Sequence, residues 1–292
     1  MVALLRLGRR PWVEYADLVE ERGSAGAVLE QELTDQSEPL GQASLLPTDV
    51  PSAAELLAQS RADLNHWAAH GMRLVTVLEP DYPPNLRAVH DRPPMVFIQG
   101  RLTPEDSRSV AVVGARQATA AGLERAQSIA RHLVDSGYTV VSGLAAGIDT
   151  AAHTAALAHK GRTIAVIGTG LSRAYPPQNE RLQRKIADHG AVVSQFWPDA
   201  PPSRRSFPMR NAVMSGIALA TVVVEASQTS GSRVQARLAL AQTRPVFLLE
   251  ELVDAQPWAR DCATRPGAHV IRDPTEITTA LDRLTGPGSL VA

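Results

Sequence analysis

The sequence has a single cysteine, Cys262, so no disulfide and no cysteine-based zinc site can form within one chain. A reducing, cytoplasmic setting is expected. Aromatic residues make up only 4%, which argues against a broad aromatic surface. No window approaches the ~18 consecutive apolar residues that a membrane span requires. The opening residues, MVALLRLGRRPW, place arginine inside a short apolar run and lack a small-residue cleavage site, so no leader peptide is expected. The formal net charge is −1, which excludes a broadly basic body. Any site for a polyanion must then be a local patch. Lysine is nearly absent, with only Lys160 and Lys185. The remaining basic residues are arginines, whose planar fork suits bidentate phosphate contacts. Genomic base composition explains the same bias equally well.

Several motifs are missing too. There is no G-x-x-x-x-G-K-[ST] loop for a nucleoside triphosphate. Gly168-Thr169-Gly170 lacks the third glycine of a dinucleotide-binding turn. No nucleophile elbow and no carboxylate pair with an acid–base role is evident, so no catalytic residue is assigned. No cofactor is implied. Asp149 and His153 share one helical face but lack a third ligand, so no metal site is assigned. Asp149 reads instead as a helix N-cap, with His153 packed beneath the loop.

At 292 residues the chain can build one large domain and a smaller one. Residues 1–75 read as a small helical domain. Apolar spacing near 3.6 runs from Trp12 to Leu33 and again from Ala53 to His70. A polar, proline-containing linker is expected at 35–51. From Ser109 onward, short β-branched runs alternate with helical segments. The runs are Val110–Gly114, Thr139–Gly143, Thr163–Gly168, Val192–Phe196, Thr221–Ala226 and Pro245–Glu250. A late strand at Ala268–Ile271 and a helix at Pro274–Leu284 close the pattern. Continuous apolar strands alternating with helices predict an α/β fold with a doubly wound, mainly parallel sheet over 76–285. Residues 286–292 read as a frayed tail.

In such sheets, ligands sit beyond the carboxyl ends of the strands. Glycine and serine recur there, at Gly114 before Arg116, at Ser142, Gly143 and Gly147, at Gly168 and Gly170, and at Ser230 and Gly231. Glycine admits close backbone approach, and each following helix directs its free amides to the same rim. An anion-binding edge is expected. The segment Ser203–Asn211 is the most basic stretch of this region. A helix is expected to begin near Asn211, with Arg204, Arg205 and Arg210 set for phosphates and Phe207 for a stacked base.

The stretches YPPNLRAVHDRPPMVFIQG (82–100), VAVVGAR (110–116), SGLAAGID with the following AAH (142–153), GRTIAVIGTG (161–170), AYPPQN (174–179), FPMRN (207–211) and VVVEA with TSGS (222–232) are collinear. Together they make the chain resemble the DprA/Smf family over about residues 65–285. The resemblance implies an extended Rossmann-like fold, binding of single-stranded DNA, loading of a RecA-type recombinase, and a homodimer. It implies DNA contacts at Gly114, Arg116, Ser142, Gly143, Gly147, Arg210 and Asn211. The chain departs from the family's usual pattern at Gln195, Ala212 and Arg233. Two other readings use the same loops. One is a sensor for a small nucleotide. The other is a nucleotide hydrolase of the LOG type, whose G-[ST]-x-x-E element falls here on Gly231, Ser232 and Gln235, without the carboxylate.

Overall fold

The computed structural model describes residues 1–34 and 52–285. The expected linker at 35–51 and tail at 286–292 lie outside the described residues. The chain opens with helices α1 (Val2–Leu7), α2 (Trp12–Arg22), α3 (Ala25–Thr34) and α4 (Ala53–Ala69). The periodic stretch expected from Trp12 to Leu33 is thus two helices. Gly23 takes a left-handed conformation (φ 65°) and ends α2, which few other residues could do without strain. Ser52 caps α4, and its side chain and that of Glu55 satisfy each other's backbone amides.

Strand β1 (Met72–Thr76) begins inside the stretch expected to be helical, directly after Gly71 (φ 70°). The short helix α5 (Pro84–Arg87) and strand β2 (Met95–Gly100) follow. Then come the alternating units: β3 (Ser109–Val113), α6 (Ala120–Asp135), β4 (Thr139–Ser142), α7 (Ile148–Ala158), β5 (Thr163–Val166), α8 (Glu180–His189) and β6 (Ala191–Ser194). The second series is α9 (Ser206–Ile217), β7 (Ala220–Val223), α10 (Gly231–Ala241), β8 (Val246–Leu249), α11 (Glu250–Ala255), α12 (Pro257–Ala263), β9 (Ala268–Ile271) and α13 (Thr275–Thr285).

The nine strands form one sheet in the order β1-β2-β6-β5-β4-β3-β7-β8-β9. From β6 to β9 all pairings are parallel, while β1 and β2 add an antiparallel margin. The fold is Rossmann-like, with the expected doubly wound sheet. Every residue of β3 to β8 is buried, so both faces of the sheet are covered. The chain leaves β3 toward β4 on one side and returns to β7 on the other. The strand order therefore reverses between β3 and β7, and a crevice opens at their carboxyl ends.

The scarce aromatics are concentrated where the N-terminal helices meet the sheet. Trp12 of α2 stands edge-on to Trp197, with ring centroids 5.5 Å apart. Trp67 of α4 stands edge-on to Phe97 of β2 at 5.0 Å and lies 5.9 Å from Trp197. Arg6 of α1 covers the Trp197 ring at 5.5 Å. Arg92 adds ion pairs to Asp17 and Glu20 of α2.

Candidate nucleic-acid interface

A cavity of about 760 Å³ occupies the crevice at the β3/β7 reversal. Its walls come from the segment after β3 (Gly114, Arg116), from α9 (Phe207, Arg210, Asn211) and from the segment after β7 (Ser230, Gly231). A smaller recess of about 70 Å³ lies beside it, lined by Gly143, Gly168, Tyr175 and again Arg116, Phe207 and Arg210. Nine of the expected site residues thus converge.

The other five lie elsewhere. Ser142 is fully buried and donates its hydroxyl to the Val112 carbonyl at 2.7 Å, which ties β4 to β3. Gly147 (φ 77°) starts α7 so close to the carbonyls of Ala115 and Arg116 that a side chain has no room. Gly170 packs in the same way against the backbone of Trp197 and Pro198. Arg204 and Arg205 are exposed on the turn before α9 and line neither cavity.

Helix α9 begins at Ser206 rather than near Asn211, and the turn that leads into it is closed by reciprocal amide-to-hydroxyl hydrogen bonds between Ser203 and Ser206. Phe207, Arg210 and Asn211 are therefore helical and project from one rigid element. Phe207 is half-buried. A β-carbon at Gly168 would sit 2.9 Å from its ring, so glycine there is what lets the aromatic approach β5. The Arg116 guanidinium carbon lies 5.1 Å from the Phe207 centroid, and the ring of the exposed Tyr175 lies 5.6 Å away on the same aromatic. A cation and two rings form a stack at the cavity mouth.

Arg210 differs from the surface cation expected of it. It is only 6% exposed. One guanidinium nitrogen donates to the carbonyls of Gly143 and Val166, and Nε donates to Asn211 Oδ1 at 3.0 Å. Burial pulls its pKa below the ordinary guanidinium value, Asp149 works against that, and Arg116 adds to it. The Asn211 amide in turn donates to the Gly231 carbonyl at 3.2 Å and so joins α9 to the first turn of α10.

The loop amides expected to cradle an anion are largely taken by the chain itself. Asp149 is not an N-cap. It sits inside α7, and its carboxylate accepts from the amides of Gly143 and Ala145 at 3.1 and 3.2 Å. Glu225 turns to the start of α6, where it accepts from the Thr119 amide and, at 2.8 Å, from its hydroxyl. Both carboxylates line the large cavity and are engaged by amides of the chain, and burial pushes the Asp149 pKa up against the pull of Arg210. The first turn of α10 has no such carboxylate. Ser230 caps it through the Ser232 amide, and Gly231 is exposed with open space where a side chain would be.

His153 is wholly buried beneath this loop, as expected. Its Nδ1 lies 2.7 Å from the Thr163 hydroxyl, which itself donates to the Val140 carbonyl at 2.8 Å. The histidine must therefore donate from Nδ1, leaving Nε2 without a partner. Burial and the nearby Arg210 push its pKa down to about 3. Among the described residues no group of acidic, histidine or cysteine side chains could hold a metal ion. No described helix is long and apolar enough to cross a membrane.

Of the residues at this site, Tyr175 escaped the sequence reading. It lies in the AYPPQN stretch, which marked the resemblance, but nothing in a loop sequence shows that its ring will reach Phe207. Of the departures noted above, Gln195 is buried outside both cavities, Ala212 is half-buried on α9, and Arg233 is exposed on α10.

The profile of the family described as DNA recombination-mediator protein A matches residues 73–282, from β1 into α13. The chain belongs to that family. Relatives of this DNA recombination-mediator family include protein Smf of Synechocystis, 39% identical over 215 residues, which are 72% of this chain and 54% of that protein. DNA processing protein DprA of Streptococcus pneumoniae is 39% identical over 60% of this chain and 61% of its own length. The chain thus spans little more than half the length of the curated relatives it matches. Among solved structures, DprA from Streptococcus pneumoniae superposes with a TM-score of 0.67 at 30% identity, over 86% of this chain and 90% of that one. DNA processing protein A from Helicobacter pylori, described for a unique single-stranded DNA binding mode, superposes with a TM-score of 0.64 at 25% identity, over 73% of this chain and 96% of that one.

Proposed function

We propose that this chain is a cytoplasmic, non-enzymatic protein that holds single-stranded DNA in the β3/β7 crevice, protects it, and passes it to a RecA-type recombinase. The observation that carries this reading is the Arg116–Phe207–Tyr175 stack beside Arg210. Stacking surfaces accept any base, and an adjacent guanidinium accepts a phosphate, so the pair suits a strand bound without regard to sequence. Gly114, Ser230 and Gly231 let the backbone of the strand approach, and the exposed Arg204 and Arg205 flank its path. What is described of the Helicobacter pylori relative, single-stranded DNA binding, agrees with this chemistry. A homodimer is part of the proposal. β9 is an open sheet edge on which Val270 is 43% exposed, an unpaired surface of the kind a second copy can cover.

Fluorescence anisotropy of a labelled oligo-dT strand across a salt series tests the reading, with a duplex as control. Tight binding that weakens with salt and prefers the single strand supports it. Absence of binding at low salt rejects it.

A small nucleotide is the second reading, because a cavity of about 760 Å³ falls in the range of small-ligand sites. Hydrolysis of that nucleotide finds less support. Gln235 carries no charge, and the Glu225 carboxylate is engaged by Thr119. Stabilisation of the protein by nucleoside monophosphates, with no oligonucleotide binding, would favour this reading over the first.

A further inference from the structure

A third recess of about 410 Å³ lies on the far side of the α10 first turn. It shares Thr229 and Ser230 with the large cavity, so that turn forms a wall common to both. Arg233 and Arg237 of α10 and Arg265 after α12 line it, and all three are exposed. Among the described residues none of the three has a carboxylate within ion-pair distance, although Asp261 lines the same recess. Arg233 and Arg237 are four residues apart on one helix, a like-charge spacing that costs stability unless an anion offsets it. Trp258 of α12 forms part of the wall. It is 4% exposed, and its indole Nε1–H meets no acceptor. Arg233 also donates to the Gln228 carbonyl at 3.3 Å, a neutral acceptor that leaves its charge unopposed, and three guanidinium groups without a carboxylate partner around one recess make it a site short of an anion.

The geometry points to a second phosphate subsite here, in which Arg233, Arg237 and Arg265 hold the backbone of the same DNA strand after it leaves the main crevice over Ser230–Gly231. The inference rests on the reading of the crevice as a single-strand site. It gives the strand a direction, from the aromatic stack, across the open N-terminal turn of α10, and down the arginine face of that helix. Phosphodiesters suit the site because each guanidinium can donate to two phosphate oxygens at once.

The test uses oligo-dT strands from about 4 to 20 nucleotides, a span that covers typical single-strand site sizes. Wild type is compared with R233A/R237A/R265A, with the charge reversal R265E, and with a control lacking three exposed arginines outside the cavities (R61A/R131A/R283A). The triple variant is expected to lose roughly tenfold or more on the longest strand and to match wild type on the shortest. Its salt dependence should fall by about 0.7 for each phosphate contact removed. The control should show neither change. Wild-type affinity and salt slope in both R265E and the triple variant would overturn the subsite and leave the crevice reading intact. Inorganic phosphate stabilising wild type but not the triple variant, with long-strand affinity unchanged, would make the recess a free-anion site and overturn the strand path. No binding of any strand by wild type would reject the crevice reading itself.

Discussion

Arg116 lies over the face of Phe207, its guanidinium carbon 5.1 Å from the ring centroid, although 91 positions separate the two residues in sequence. Arg116 arrives from the segment after β3 and Phe207 from the first turn of α9. Stacking of a base on such a surface is worth about 1–3 kcal/mol. Phe207→Ala is therefore expected to weaken oligo-dT binding roughly 5- to 150-fold, and Arg116→Ala to weaken binding to all sequences alike and to reduce its salt dependence. Unchanged anisotropy curves for both variants would remove the stack from the site.

Arg210 is expected to matter first for stability. Its removal leaves the Gly143 and Val166 carbonyls without their donor and Asp149 without its buried counter-charge. Loss of a buried charge partner costs about 3–5 kcal/mol. Arg210→Met should lower Tm by roughly 6–20 °C in a chain of this size. A Tm within a degree or two of wild type would show that the loops do not depend on it.

His153 makes stability depend on pH. Its folded-state pKa is about 3, far below the ordinary 6.5, so the folded protein keeps it neutral while the unfolded chain takes up a proton. Stability should then fall as pH drops from about 6.5 toward 3, by up to about 1.4 kcal/mol per pH unit from this residue alone. His153→Gln should flatten that slope in denaturant titrations at pH 7, 6 and 5. An equal slope in wild type and variant would show that the histidine is not the cause.

Trp67 should couple the N-terminal helices to the sheet. It is 7% exposed and meets Phe97 and Trp197 edge-on or tilted. Trp67→Ala opens a cavity worth about 3–5 kcal/mol. The expected outcome is a lower Tm, read by near-ultraviolet circular dichroism, with loss of the aromatic signal. Retention of both would separate the helices from the stability of the sheet.

The local pattern of this chain determined its strands. Runs such as SVAVV and TVVS are β-branched and apolar, so they must be buried on both faces, and that requirement alone predicts a covered parallel sheet. The glycines at the strand ends marked the edge at which the large cavity opens, because the carboxyl ends of such strands face a crevice. The margin strands β1 and β2 were not legible. Their residues carry no strict alternation, and β1 becomes a strand by pairing with β2, which itself pairs with β6. Only the tertiary structure decided which of the rim residues face the crevice. Arg204, Arg205 and Arg210 look alike in sequence, yet the first two are exposed and the third is buried against two carbonyls. The amides of Gly143 and Ala145 look available until Asp149 is folded beneath them. The physical reason is the same in each case. A hydrogen bond or a burial that closes across two strands depends on what the distant segment brings, and spacing along one segment carries no information about it.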